Sequence, residues 1–390
     1  MRIAVVTPIP TPYRDPFWNE VARLPDVDLA VFYCSAGKSD RPWDNEWECN
    51  FESHIMPGVN LSRWRGSSKS TFWNSGIVKR LRAGRYDAII IGGYNHVTMW
   101  AAMRFAARQG IPFFLMCESH LKKERQSWKR WIKRPVVQWV VKHAAGGFPT
   151  GTLAGRYLES YGAKPSTLAH VPNAPDVEMI ASRTSDLRSR REQLRREYGL
   201  DGGPVALFVG RLIPMKRVDL LIRAFHAAPI SQSASLVIVG DGPMRSELET
   251  MVADLGLTSR VRFVGFLQPP NVVEWYSLAD LFVLPSSEPW GVVVLEALAS
   301  GLPVIVTDEV GCHPDVVNSP LVGDIVPAGQ LEELTSALQR RLSQANAYST
   351  VQKEWGPVLQ SLCYNRIAHS FVKNIRTGND CRTTSVTVAH

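Results

Sequence analysis

Short apolar runs alternate along this chain with segments whose apolar residues recur every three to four positions. The runs at 3–7, 29–33, 88–91 and 113–116 are rich in β-branched and aromatic residues and read as strands. The segments at 17–22, 76–82, 99–108 and 131–141 read as helices between or after them. The second half repeats the plan, with strands at 205–209, 236–239, 261–263, 281–284 and 304–307. Helices at 217–226, 245–255 and 292–299 fall among them. Strands that are apolar throughout, alternating with helices, predict parallel sheets covered on both faces. Two such series predict two doubly wound Rossmann-like α/β domains, and such sheets bind ligands beyond the carboxyl ends of their strands.

The turn-like PNAPD at 172–176, a polar helical stretch after it and DGGP at 201–204 mark the join. The expected domains are 1–180 and 181–356, with a C-terminal helix at about 357–376 returning to the first. The polar residues 377–390 are expected to form a disordered tail. No repeat with a period of 20–50 residues is present.

Length agrees with this division: 390 residues at ~150 per domain suggest two domains rather than one. A hydrophobic share of 45% supports a sizeable core and argues against global disorder. Six cysteines are scattered without a CxxC pair, which speaks against a zinc ribbon or a disulfide framework and for reduced thiols. The opening MRIAVVTPIPTPYR has no secretory pattern, and no stretch reaches the ~18 apolar residues of a membrane span. The expected location is cytoplasmic.

Charge is uneven. Residues 1–180 carry 24 Lys and Arg against 15 Asp and Glu, whereas 181–390 carry 20 against 21. Residues 63–85 hold seven basic residues and no acid. From Lys122 to Lys142 the chain interleaves basic residues with Trp128, Trp131 and Trp139. Basic residues mixed with tryptophan suit an anionic membrane surface, and each adds ~1 kcal/mol near such a leaflet. The alternative is a solvated helix with its tryptophans in the core. Nucleic acid fits less well, because the basic excess is regional and no recognition motif accompanies it.

Two clusters carry candidate chemistry. In PSSEPWGVVVLEALASGLPVIVTDEVG, residues 285–311, Glu288 and Glu296 are separated by seven residues. Pro289 and Gly291 place Glu288 on a loop, and Glu296 falls inside the next helix. The backbone N–H groups of Gly291, Val292 and Val293 at that helix start form an anion-binding end. Such a helix end between two carboxylates suits a sugar nucleotide; the plainer alternative is two solvated glutamates flanking a helix. In VGRLIPMKR, residues 209–217, Gly210 permits close approach, and Arg211 and Lys216 are placed to neutralise a diphosphate. Taken alone this cluster also reads as a solvated basic loop.

At these residues the chain resembles the retaining nucleotide-sugar glycosyltransferases of family 4. The resemblance rests on GRLIPMK, DLLIRAF, LVIVGDGP, VRFVGF, ADLFVLPSSEPWGVVVLEALASGLPVI and VGCHPDVV, in that order. It is strong over residues 203–330 and weaker in the N-terminal half. It implies the GT-B fold, two Rossmann-like domains facing across a cleft, and a sugar moved from a nucleotide sugar, UDP-sugar favoured. Arg211 and Lys216 would hold the diphosphate, Glu288 the donor sugar and Glu296 the ribose hydroxyls. The backbone of Gly291, Val292 and Val293 would meet phosphate and sugar, and Gly265 and Phe266 would lie near the base. The implied acceptor is a glycan or a lipid-linked molecule, with the protein peripheral on the inner face of the membrane. A soluble acceptor, or a non-catalytic binding protein of the same fold, is the alternative.

The resemblance implies neither cofactor nor metal. The Asp26–x–Asp28 pair sits in a turn, and GDGPMR from Gly240 lacks the third glycine of a dinucleotide fingerprint. Where many relatives have a glycine-rich loop after the first strand, this chain has PIPTPYRDPF. Tyr13 and Arg14 there are candidates for acceptor or phosphate contact. His120, in CESH, stands where many relatives have a histidine near the donor sugar; a structural hydrogen bonder is the alternative.

Overall fold

The computed structural model describes residues 1–37, 43, 48–62, 70–121, 127–200, 202–343 and 348–386, with backbone alone for 127–130, 132 and 379–386. The chain divides into two compact units, Met1–Asn173 with Tyr364–His390, and Ala174–Cys363.

The first unit opens with β1 (Arg2–Thr7), α1 (Asp15–Arg23), β2 (Asp28–Tyr33) and β3 (Glu52–Ile55). The short antiparallel pair β4 (Val59–Asn60) and β5 (Phe72–Trp73) follows. Then come α2 (Ile77–Gly84), β6 (Ala88–Ile91), α3 (Val97–Gln109), β7 (Phe113–Cys117), α4 (Ser127–His143), β8 (Gly146–Pro149) and α5 (Thr152–Glu159). Six parallel strands form one sheet in the order β3-β2-β1-β6-β7-β8. Central strands are buried on both faces, which is why β6, β7 and the Ile3–Val6 centre of β1 are apolar.

The second unit begins with α6 (Val177–Arg188) and α7 (Arg191–Glu197), followed by β9 (Val205–Val209), α8 (Val218–Ala227) and β10 (Ser235–Val239). It continues through α9 (Arg245–Asp254), β11 (Val261–Gly265), α10 (Pro269–Leu278), β12 (Leu281–Leu284) and α11 (Val292–Ala299). It closes with β13 (Val304–Thr307), α12 (His313–Val316), β14 (Gly323–Val326), α13 (Leu331–Leu342) and α14 (Tyr348–Ser361). Its parallel sheet runs β11-β10-β9-β12-β13-β14. In both units the first strand is central, and the strand order reverses beside it. That reversal opens a crevice at the carboxyl ends of β9 and β12.

The polar stretch after residue 175 is not a join. It forms α6 and α7, both of which pack on α10, and α6 buries Ile180, Thr184 and Leu187, so the boundary falls at 173/174 rather than 180/181. The returning element is α15 (Tyr364–Val386), beginning at 364 rather than 357. Phe371 explains its place in the first unit, because its ring packs on Phe17, Trp18 and Phe148. Helix α14 stays with the second unit through buried Val351 and Trp355. The expected disordered tail is corrected in part: residues 377–386 continue α15, and 387–390 lie outside the described residues.

Candidate active site

Two loops meet at the reversal in the second sheet. The first leaves β9 through Gly210 and Arg211 and ends in a tight turn, Pro214–Lys216. The second leaves β12 and reaches Gly291, the cap of α11. A bond from the Ser287 N–H to the Met215 carbonyl (3.2 Å) ties them together. The second loop is also laced to the segment after β13. Glu288 N–H donates to Glu309 O (3.2 Å), and Gly311 N–H donates back to Glu288 O (3.0 Å). Gly291 turns the chain at φ +105, where a Cβ would meet Val310 at 2.8 Å. Only glycine enters α11 this way.

This frame brings Lys216 to Glu288. The ammonium lies 2.7 Å from the carboxylate Oε1, and the two side chains are 10% and 14% exposed. Ser286 donates to the same oxygen at 2.6 Å and is itself buried. A largely desolvated pair of this kind sits at low local dielectric, so each charge is held strongly by its partner and kept in a fixed place. Gly210 stands beside it: a Cβ there would come 3.6 Å from the Lys216 nitrogen. Arg211 is half-buried.

Gly291, Val292 and Val293 form the first turn of α11, whose N–H groups lack intrahelical partners and point a partial positive charge outward. Glu296 lies one turn further in, 6% exposed, and accepts from the Tyr276 hydroxyl at 2.8 Å. Neither glutamate is a solvated flank. Gly265 ends β11 two strands away, with Gly240 bridging to it, and Phe266 follows, 42% exposed. Gly240 is obligatory, because a Cβ would overlap the Gly210 carbonyl oxygen. Sequence reasoning missed Ser286, Tyr276 and Gly240. Ser286 was visible two residues before Glu288, whereas the other two depend on contacts between elements.

Tyr13, Arg14 and His120 belong to the first unit. Tyr13 meets Trp43 edge-on. Arg14 donates to Pro172 O (3.3 Å) and lies 3.7 Å from Glu118 Oε1. Burial lowers its pKa, while Glu118 and Tyr364 oppose the shift. His120 is 2% exposed, beyond the end of β7. Asp28 is spent on Arg2 at 3.0 Å. Among the described residues no group of three or more His, Cys, Asp or Glu could hold a metal ion, and no helix is long and apolar enough to cross a membrane. Helix α4 exposes Trp131 (72%), Lys133 and Arg134, while Trp139 stacks on Trp100 and His143. Lys122 and the residues to 126 lie outside the described residues.

Residues 4–174 match the family described as the glycosyl transferase 4-like domain, and residues 190–354 the family described as glycosyl transferases group 1. The two matches fall one in each unit, and the fold is GT-B. An α-D-kanosaminyltransferase of Streptomyces kanamyceticus is 32% identical over 64% of this chain and 66% of its own length. A GDP-mannose-dependent α-(1-6)-phosphatidylinositol monomannoside mannosyltransferase of Mycolicibacterium smegmatis is 30% identical over 58% of this chain and 62% of its own. The match thus spans less than two thirds of the length of these curated relatives. Among solved structures, HepE of Anabaena in complex with UDP superposes with a TM-score of 0.72 at 16% identity. That match covers 97% of this chain and 100% of HepE.

Proposed function

We propose that this glycosyltransferase moves a sugar, with retention of anomeric configuration, from a UDP-sugar to a glycan or lipid-linked acceptor. The observation that carries the reading is the desolvated Lys216–Glu288 pair beside the α11 N-terminus, at the reversal in the second sheet. Lys216, Arg211 and the first-turn N–H groups hold the diphosphate and take up charge as it departs. Glu288 holds the donor sugar. Glu296, steadied by Tyr276, holds the ribose hydroxyls, and Gly265 and Phe266 flank the base. In the first unit, His120 is assigned to the donor sugar, and Tyr13 and Arg14 to the acceptor or a phosphate.

The acceptor hydroxyl attacks the anomeric carbon on the face the diphosphate leaves. The glycosidic bond to phosphate breaks as the new bond forms, and the hydroxyl proton passes to the departing phosphate oxygen. One carboxylate of the pair is engaged by ribose, so the two do not act as acid and nucleophile as in a retaining glycosidase. The cations supply the electrostatics without a metal or cofactor. UDP in HepE supports the choice of base, and the phosphatidylinositol-mannoside acceptor in the mannosyltransferase's name supports a lipid-linked acceptor.

Calorimetry with UDP, GDP, ADP and their sugar conjugates, with chelator present, tests the donor. UDP binding tighter than the others supports the reading; no nucleotide binding refutes it. Docking on an anionic membrane through α4 belongs to the same reading. Neutralising Lys133 and Arg134 together is expected to reduce sedimentation with phosphatidylglycerol vesicles, and unchanged sedimentation refutes the docking.

A further inference from the structure

The second unit carries a basic pocket at the other end of its sheet. It has a volume of about 480 Å³ and opens at the turn between α6 and α7, where Arg188, Arg190 and Arg191 face Tyr348. Asp280, which precedes β12 at its amino end, anchors the floor. The pocket therefore lies beyond the amino end of β12, whereas Glu288 follows its carboxyl end.

The arginines there do different work. Arg191 is consumed: it donates to the carbonyls of Ser277, Leu278 and Ala279 and lies 2.5 Å from Asp280. Arg195 is consumed as well, on Leu200 O, Gly203 O and Asp280. Arg188 is not. Its guanidinium carbon sits 3.7 Å from the centre of the Tyr348 ring, and its Nε–H, though buried, has no hydrogen-bond partner among the described residues. The ring is seated for this contact. It lies so close to Gly301 that a Cβ there would overlap it, and Gln352 donates to its hydroxyl at 2.6 Å.

Charge points the same way. Four guanidiniums, on Arg188, Arg190, Arg191 and Arg195, are set against the carboxylates of Asp280 and Glu192, which leaves two positive charges uncompensated. Burial, with Arg191 and Arg195 nearby, pulls Arg188 down to about 10. A group placed so that its charge is disfavoured gains when an anion arrives. Two cations, one of them stacked on a ring, suit a doubly charged tetrahedral oxyanion and the forked donor geometry of arginine.

We propose that this pocket binds a phosphoryl group, held by Arg188 and Arg190 over the Tyr348 ring and separate from the donor site. The phosphoryl group is that of a free phosphorylated metabolite or of a lipid headgroup. The inference does not depend on the proposed donor chemistry.

Calorimetry with inorganic phosphate tests it on the full chain carrying Lys216→Met and Arg211→Gln, which removes both cations assigned to the donor site. Binding is expected to persist in that background. It is expected to weaken at least tenfold in Arg190→Gln, an exposed position where the fold is not at risk, and in Arg188→Gln. Arg196→Gln, exposed one turn further along α7, is expected to change nothing. Absence of phosphate binding, or equal binding with and without Arg188 and Arg190, overturns the proposal. Arg190-dependent binding to phosphatidic acid vesicles assigns the lipid source. Arg190-dependent binding of phosphate alone assigns the free one.

Discussion

Replacing Lys216 by methionine keeps the length of the side chain and deletes its charge, leaving the Glu288 carboxylate, 14% exposed, without its ammonium 2.7 Å away. Breaking a buried ion pair from one side costs ~3–5 kcal/mol. The small residual exposure of both partners places this pair near the low end, about 3 kcal/mol. With a urea slope of ~2 kcal/mol per molar, the unfolding midpoint of the second unit falls by about 1.5 M. Adding Glu288→Gln removes the stranded charge, so the double variant is expected to regain most of that loss. Transfer behaves differently. If Lys216 stabilises the leaving diphosphate and Glu288 orients the sugar, both variants lose ~10²–10³-fold in rate, and the double variant stays inactive. Urea unfolding and a donor-turnover assay on the same preparations separate the two effects. Unchanged stability in Lys216→Met refutes the desolvated pair, and recovery of transfer in the double variant refutes the catalytic reading.

Tyr276→Phe deletes a bond to a carboxylate worth ~1.5–3 kcal/mol and is expected to weaken nucleotide binding about tenfold by calorimetry, with the fold intact. Gly240→Ala drives a methyl into the Gly210 carbonyl and is expected to cost ~1–3 kcal/mol or more, read as a lower midpoint in thermal unfolding; an unchanged midpoint contradicts the close approach. Burial pushes the Cys34 and Cys117 thiols up to about 12, above their ordinary value of 9.0. Unfolded thiols therefore ionise first, so the contribution is complete below about pH 9 and declines as pH rises toward 12, and urea midpoints are expected to fall above pH 9. Cys49 is exposed, whereas Cys34, Cys117 and Cys312 are buried, so a thiol reagent is expected to modify Cys49 before those three; equal rates contradict the burial.

The site in the second unit is readable from sequence because its parts are contiguous. Gly210 to Lys216 follow one strand and Ser286 to Val293 follow another, so knowing where two strands end places most of the charged groups. Contacts that join separate elements leave no local trace. Tyr276 and Glu296 lie 20 residues apart on α10 and α11, and nothing in either segment announces their bond. Composition also misleads where polar groups are consumed internally. Arg191 and Arg195 look like parts of a solvated linker, yet they cap the carbonyls of Ser277, Leu278, Ala279, Leu200 and Gly203. The glycines of β8 hide a strand for a similar reason, because a Cβ at Gly146 or Gly147 would press on Thr167 or Leu168. In α15 the apolar positions Ile367, Phe371 and Ile375 end before residue 377, so no periodicity carries the helix onward from there.

The two sheets share one strand order, but their reversal points are furnished differently. In the second unit the loops at β9 and β12 carry a paired cation and carboxylate beside a helix start. At the matching place in the first unit, Gly92 closes directly on β1: its N–H donates to Val6 O at 2.8 Å, and a Cβ would stand 3.1 Å from Thr7 Oγ1. Among the described residues of the loop that follows β1, Arg14 is engaged by Pro172 O and Glu118. A diphosphate needs cations that are held in place yet open to it. On the proposed reading the second unit meets that requirement with Arg211 and the first-turn N–H groups of α11, while Lys216 is shared with Glu288.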